Sequence, residues 1–169
     1  TLNQINLILS LKKLGFQHVI EVAFGADLIA HEYDSHLEDH DPRYKISTDC
    51  PAVAYYVKHY YPDMVPFLAP VVSPMVATVR VAKELYGERC RTVFIGPCIA
   101  KKSESHEVDV VLTYIELRKL FRSFGITQDN VKPVDFDGPI GGKAAIFPVT
   151  RGKLHSMNKS DDISEENIF

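Results

Sequence analysis

Hydrophobic positions recur along the first third of the chain with two different periods. A helical period runs through residues 2–14 and ends at Gly15, a residue suited to a helix C-terminus. Residues 18–23 are short and β-branched and predict a strand, and residues 26–37 return to a weaker helical period. A second possible strand covers residues 45–48.

Prolines and glycines delimit the next two helices. Pro51 suits the first turn of a helix, which Pro62 then closes. Ser73 and Pro74 repeat this start signal ahead of an apolar stripe that stops at Gly87. The pattern therefore predicts two helices, each beginning at a proline.

The remaining elements alternate between strands and helices. Residues 92–95 and 108–112 are apolar and predict buried strands, and Thr113 with Glu116 forms a capping box for the helix that follows. A last strand is predicted over residues 144–149.

Short apolar strands alternating with amphipathic helices are typical of an α/β domain. We expect a mostly parallel sheet of about four strands, flanked by helices. Residues 1–152 are predicted to form this lobe. Residues 153–169 are polar and acidic, and we interpret them as a tail or as the start of a missing second lobe.

Composition narrows the function classes. Charged residues are 24% and apolar residues 46% of the chain, and the net charge is −3, without the basic patch of a nucleic-acid binder. No apolar run reaches the roughly 20 residues of a membrane span. The first residues show no signal-peptide pattern. The three cysteines are an odd number and form no C-x-x-C pair, so we expect free thiols in a reducing cytoplasm and no disulfide framework.

Ligands of open parallel sheets bind beyond the carboxyl ends of the strands, where loops and helix N-termini converge. Cys50 and Cys98 both follow predicted strands, so we expect them at one edge of the sheet and Cys90 at the opposite edge. The loops that follow predicted strands are residues 24–27, 49–51 and 96–102.

The chemistry of these thiols is open from the residues alone. Cys50 precedes a helix start, where the dipole favours a thiolate, and Cys98 has Lys101 and Lys102 nearby. An iron or zinc ligand, a reactive thiol and an inert packing residue all remain possible interpretations.

Four segments carry a resemblance to a known family. T-D-C-P-A at residues 48–52, followed by Y-Y-P-D at residues 60–63, resembles the first H-cluster motif of iron-only hydrogenases, T-S-C-C-P-x-W with Y-Y-P-E. G-P-C-I-A-K-K-S-E at residues 96–104 resembles the second, M-P-C-x-x-K-K-x-E. F-G-A-D-L at residues 24–28 is similar to the family's F/W-x-A-D-L segment, and Ser73-Pro74 to its S-P helix start.

The resemblance implies a 4Fe-4S cluster held by four cysteines, one of which bridges to a two-iron subcluster with carbon monoxide and cyanide ligands. Cys50 and Cys98 would be two of those cluster ligands, and Lys101 would donate a hydrogen bond to a cyanide. The other two cysteines have no counterpart, so we expect this chain alone to bind no intact cluster and to be inactive. The residues implied to contact the cofactor are Pro97, Lys101, Ala26 and Ser73.

The chain departs from the family's pattern at the proton-relay position. Asp49 stands where the family has a relay cysteine, and a carboxylic acid has a much lower reference pKa than a thiol. Asp49 and Lys101 are therefore the implied catalytic residues. Val53 replaces the motif's tryptophan, Gly96 its methionine, and Tyr33 the second acid of the family's acidic pair.

These departures resemble a branch of hydrogenase-like domains attached to signalling modules. The leading hypothesis is a hydrogen- or redox-sensing domain whose partners are ferredoxin or attached PAS, kinase or phosphatase modules. One alternative is a hydrogenase subunit that oxidises hydrogen and reduces protons. Another is a metal-free α/β interaction module in which Cys50 and Cys98 only pack.

Overall fold

The structure, a computed structural model, describes residues 4–38, 46–126, 134–147 and 152–157. Within these ranges the regular elements are α1 (Gln4–Lys13), α2 (Val22–Glu38), α3 (Pro51–Tyr60), α4 (Pro74–Tyr86), β1 (Val93–Ile95), β2 (Val110–Leu112), α5 (Tyr114–Ser123) and α6 (Gly152–Ser156). Three 3₁₀ turns are added to them, at Pro62–Phe67, Ile99–Ser103 and Lys143–Ile146.

A small parallel sheet lies among the helices, which confirms the predicted α/β class. β1 and β2 pair in register, with Val93 opposite Val110 and Ile95 opposite Leu112. Over the described ranges the sheet has these two strands, where the sequence predicted about four.

The strand predicted over residues 18–23 is wrong, because α2 already begins at Val22 and the residues before it belong to no strand. The backbone of Val19 is used by a remote loop instead. Its N–H donates to the Asp137 carboxylate at 2.7 Å, and its carbonyl accepts the Asp137 N–H at 2.8 Å. These bonds leave neither polar group of Val19 available for a ladder with β1.

The other two weak strand predictions also fail where the structure describes them. Of the described residues 46–48, Ile46 alone pairs, in an isolated parallel bridge with Leu68, and residue 45 lies outside the described part. The range 144–149 begins in a 3₁₀ turn, and residues 148 and 149 lie outside the described part. The Asp27 carboxylate accepts the Ala144 N–H at 2.8 Å and so caps the start of this turn.

The helices predicted from end signals are confirmed, and the signal residues occupy the expected positions. Thr113 and Glu116 form a reciprocal capping box at α5, with the Glu116 N–H bonded to the threonine hydroxyl at 3.3 Å. Pro51 and Pro74 each occupy the first turn of their helix. Gly15 follows α1 with φ of 100°, a left-handed conformation that side chains disfavour.

The core consists of separate apolar clusters around the helices. One joins α2 to α6, where Met157 is buried against residues of α2. Another joins α1 to α5 and includes Leu11, Leu117 and Phe121. Residues 152–157 thus pack on the lobe, while the division of the chain at residue 152 remains a prediction.

Gly25 allows α2 to approach α4 closely. A Cβ atom at this position would lie 2.2 Å from the Thr78 hydroxyl oxygen and 2.3 Å from the Pro74 carbonyl oxygen. The second of these is backbone and cannot rotate away. The glycine therefore fixes the N-terminal end of α4, where Ser73 lies, against α2.

Acid stability offers a test of the sheet. Asp109 accepts the Thr92 N–H at 2.8 Å and pairs with Arg91, and these contacts lower its pKa to about 2. A carboxylate with a depressed folded-state pKa stabilises the fold above about pH 4 and loses this effect as the pH falls toward 2. In Asp109→Asn, the free energy of unfolding, measured by urea unfolding, should therefore fall less between about pH 4 and pH 2 than in the wild type.

Asp63→Asn, an equal charge change at an exposed site, is the control. The same decrease with pH in the wild type and in Asp109→Asn would contradict the assignment.

Candidate metal centre

The first cysteine loop, residues 46–50, is fixed by its threonine. The Thr48 N–H donates to the Tyr33 hydroxyl at 3.0 Å, and the Thr48 hydroxyl donates to the Val71 carbonyl at 2.6 Å. Cys50 ends the loop as the N-cap of α3, with an extended backbone and an exposed side chain. Its side chain makes no capping hydrogen bond. A thiol in this position is available to an external ligand.

The second cysteine loop, residues 96–98, directly follows β1. The Gly96 N–H continues the sheet pairing by donating to the Leu112 carbonyl at 3.0 Å. Pro97 is exposed, and Cys98 is half-buried as the N-cap of the 3₁₀ turn Ile99–Ser103. Cys98, like Cys50, makes no capping bond through its side chain.

Lys101 joins the two cysteine loops. Its ammonium donates to the backbone carbonyl of Asp49 at 3.0 Å and pairs with Glu104 at 2.7 Å, and both of these side chains are 12% exposed. The Tyr55 hydroxyl of α3 also donates to the Ser103 carbonyl. Two loops 48 residues apart in sequence are thereby held side by side.

Cys90 lies apart from this arrangement. It precedes β1, whereas Cys98 follows it, and its thiol is 3.9 Å from the Ala82 carbonyl of α4. The structure therefore brings the Cys50 and Cys98 loops together and leaves Cys90 at the other end of the strand.

The Asp49 side chain belongs to a second group of polar contacts, which we call the lysine cage: Tyr33, Ser47, Asp49 and Lys153. Lys153 pairs with the Asp49 carboxylate, donates to the Ser47 hydroxyl at 2.7 Å and lies 3.4 Å from the centre of the Tyr33 ring. Ser47 in turn donates to Asp49 at 3.1 Å. Burial lowers the pKa of Lys153, against the opposing effect of Asp49. Burial also raises the pKa of Tyr33, and the Asp49 charge adds to that effect.

Ala26 and Ser73 are both buried beside the loops. Ala26 is part of the apolar cluster of α2. The Ser73 hydroxyl and the Asp49 Oδ1 atom are buried without a hydrogen-bond partner in the described part of the chain. Buried polar atoms of this kind usually have a partner, so the Ser73 hydroxyl can donate to or accept from a group bound here, and the Asp49 oxygen can accept from one.

The donor set can be compared with the implied iron–sulfur cofactor. Cubane clusters ordinarily take four thiolates, and the two cysteine loops supply two. Among the described residues, no group of three or more His, Cys, Asp or Glu side chains is placed to hold a metal ion. The two thiols therefore fit one half of a cluster site.

Sequence reasoning missed the lysine cage. Residue 153 falls in the range interpreted as a tail or as the start of a missing second lobe, and Lys153 lies 106 residues from its partner Ser47. Local patterns carry no information about a contact of this range.

No helix in the described ranges has the length and apolar character needed to span a lipid bilayer.

Curated proteins similar to this chain are hydrogenase subunits. The NADP-reducing hydrogenase subunit HndD of Solidesulfovibrio fructosivorans is 31% identical, over 87% of this chain and 30% of the relative. The periplasmic Fe hydrogenase large subunit of Nitratidesulfovibrio vulgaris is 29% identical, over 89% of this chain and 42% of the relative. The chain thus spans less than half the length of either relative.

Solved structures and a family model agree with this similarity. HydA(deltaEFG), described as revealing stepwise FeFe-hydrogenase H-cluster assembly, matches 83% of this chain with a TM-score of 0.72 and 27% identity, over 40% of its own length. An FeFe-hydrogenase variant from Chlamydomonas reinhardtii matches 93% with a TM-score of 0.70 and 26% identity, over 46% of its length. The family model for the iron only hydrogenase large subunit, C-terminal domain, matches residues 3–167. The chain therefore belongs to this family of iron-only hydrogenase domains.

Proposed function

We propose that this chain supplies one half of a hydrogenase-type iron–sulfur site that serves hydrogen or redox sensing. Cys50 and Cys98 act as two ligands of a 4Fe-4S cluster that carries a two-iron subcluster. The observation behind this assignment is the Lys101 bridge: the Lys101 ammonium, three residues after Cys98, donates to the Asp49 carbonyl at 3.0 Å and so joins the two cysteine loops. When bound, such a cofactor supplies electron transfer and a place for hydrogen to bind.

Each loop contributes in a defined way. Cys50 and Cys98 stand at the N-caps of α3 and of the 3₁₀ turn Ile99–Ser103, and neither side chain is used for capping, so both thiols are available as ligands. Lys101 is held by Asp49 and Glu104 with little exposure, so its position is set before any cofactor arrives. Its ammonium can donate to an anionic ligand of the subcluster. Ser73 has a buried hydroxyl without a partner among the described residues, and Pro97, which precedes Cys98, is exposed.

The lysine cage favours sensing over rapid turnover. Asp49 takes the place of the family's relay cysteine and is held in an ion pair by Lys153. A carboxylate engaged in this way is a poor substitute for a thiol that must bind and release protons near neutral pH. The hydrogenase alternative keeps the same ligands and differs only in the rate expected of the loaded protein.

Cluster loading tests the ligand assignment. We expect Cys50→Ser and Cys98→Ser, made in the whole polypeptide that carries this sequence, to abolish the visible absorption of a 4Fe-4S cluster after anaerobic reconstitution with iron and sulfide. A hydroxyl does not replace a thiolate as a ligand of iron in such clusters. Iron counting gives the stoichiometry.

Cys90→Ser is the matched control, since Cys90 lies at the other end of β1. It should load as the wild type does. Full loading of either Cys50→Ser or Cys98→Ser would refute the ligand assignment and favour the metal-free module.

The redox partner follows from this assignment as a further proposal. A cluster of this type exchanges electrons with ferredoxin or reports its state to attached PAS, kinase or phosphatase modules. The cysteine usage of the chain favours the cytoplasm as its compartment.

A further inference from the structure

We propose that Lys153 is a positioning residue of the cluster site, which fixes the first cysteine loop so that Cys50 is presented to the cluster. This inference rests on the proposed function for the role of Cys50 as a ligand. It concerns a residue outside both cysteine motifs, on a different helix.

Asp49, the residue before Cys50, is held at both its side chain and its backbone. Lys153 and Ser47 bind the carboxylate, while Lys101 binds the backbone carbonyl at 3.0 Å. A residue restrained in both places has little freedom in its backbone dihedrals. The orientation of Cys50, which comes next in the chain, is then restrained as well.

Lys153 is itself held by more than one contact. Its ammonium lies 3.4 Å from the centre of the Tyr33 ring, and Tyr33 is buried at 6% exposure. The centre of the Phe147 ring lies 5.6 Å from the same ammonium. Cation–π contacts of this kind strengthen as the cation is removed from water.

The helix that carries Lys153 is anchored in the core. Its neighbour Leu154 packs on the cluster that contains Tyr33, and Met157 is 7% exposed in the same cluster. An exposed lysine on a mobile segment would contribute little, as most surface ion pairs do. Here the side chains of Lys153 and Asp49 are 20% and 21% exposed, and both ends of the pair are fixed.

Loss of the ammonium would leave the Asp49 carboxylate half-buried without its cation. The carboxylate would then move toward solvent, and the loop would follow, since the hydroxyl of Ser47 alone does not compensate a charge. Groups that orient a metal ligand typically change metal affinity by about 10- to 100-fold when removed. We expect a loss of this order in cluster affinity.

The test compares Lys153→Met, Lys153→Arg and the control Lys58→Met, an exposed lysine of α3. Hydrogen exchange of the amides of residues 47–50 is measured in the protein before any metal is added. Lys153→Met should speed this exchange by about tenfold and leave the exchange of the β1 and β2 amides unchanged. A global loss of stability would speed the exchange of the strand amides as well. Lys153→Arg should restore slow exchange, since a guanidinium can still pair with Asp49.

Unchanged exchange in Lys153→Met, or equal acceleration in the methionine and arginine variants, would overturn the proposal. If Lys153→Met fails to fold, Ser47→Ala removes one contact of the cage without altering a charge, and it should speed the same amides by a smaller factor. Absence of that effect would also overturn the proposal.

A second measurement separates this inference from the proposed function. After reconstitution with iron and sulfide, the visible circular dichroism and bound iron of the whole polypeptide are compared among the same variants. Failure of the wild type to load a cluster would contradict the proposed function, whereas the exchange result would still decide the role of Lys153 in the loop. A cluster in Lys153→Met with wild-type dichroism and affinity would overturn the positioning role.

Discussion

Replacing Asp49 with cysteine should raise hydrogen turnover by about 10²- to 10⁴-fold, the range over which a positioned proton-transfer group acts. Asp49 stands at the proposed relay position of the first cysteine loop, and its carboxylate is engaged by Lys153 and Ser47. The reference pKa of a thiol lies closer to neutral pH than that of a carboxylic acid, so a cysteine suits proton transfer at this position better. The measurement is hydrogen uptake and evolution by the whole polypeptide, loaded with iron, sulfide and a synthetic two-iron unit.

Asp49→Ser is the control for this change. It removes the same carboxylate and breaks the same ion pair, yet it supplies no group that titrates near neutral pH. Its turnover per bound cluster should remain as slow as that of the wild type, and the rates of all variants are compared on this basis because loss of the Asp49–Lys153 pair is itself expected to lower cluster loading. Equal rates for Asp49→Cys and the wild type would show that position 49 does not limit the chemistry, and would remove the main argument for a sensor.

Leu117→Ala should lower the free energy of unfolding by about 2–5 kcal/mol, the range found for buried leucines truncated to alanine. Leu117 is 1% exposed and packs with Leu11 and Phe121 between α1 and α5. A cavity at this point also removes support from Ile95, which packs on the same cluster at the end of β1. Urea unfolding followed by circular dichroism gives the free energy.

Leu85→Ala is the matched change on the surface, since this leucine of α4 is 53% exposed. It should alter the free energy of unfolding by no more than about 0.5 kcal/mol. Similar losses in the two variants would contradict the core placement of Leu117.

Helix ends could be predicted from the sequence because their determinants are local. The capping box of Thr113 and Glu116 lies within four residues, and Pro51 and Pro74 act at the first turns of their own helices. No tertiary contact is needed to recognise these signals. The helices with such residues at their ends begin where predicted, whereas α2, predicted over residues 26–37 from its period alone, begins at Val22.

Strands are harder to predict from the sequence because β propensity does not indicate which segment a strand will pair with. Residues 18–23 have the composition of a strand, but the backbone of Val19 is bonded to Asp137, 118 residues later. Likewise, the 3₁₀ turn at Lys143–Ile146 is capped by Asp27 from α2. In each case a carboxylate distant in sequence binds backbone N–H groups and so determines the local backbone conformation. A short window of sequence does not contain that carboxylate and cannot predict its effect.

The candidate site divides in the same way. The motifs around Cys50 and Cys98 are contiguous, so the sequence alone is enough to propose both thiols and Lys101 as site residues. Lys153 forms its contacts across the fold, and only the structure shows it beside Asp49. Residues that bind a cofactor tend to occur in recognisable motifs, whereas those that orient them can come from any packed element.

The distance in sequence between Ser47 and Lys153 also has a consequence for synthesis of the protein. A ribosome adding about 5–20 residues per second takes on the order of 5–20 s to pass from one to the other, 106 residues later. During that interval Cys50 is already made, but the lysine that fixes its loop does not yet exist. The nascent chain therefore exposes an unrestrained thiol loop, and we expect cluster delivery to follow release of α6 from the ribosome.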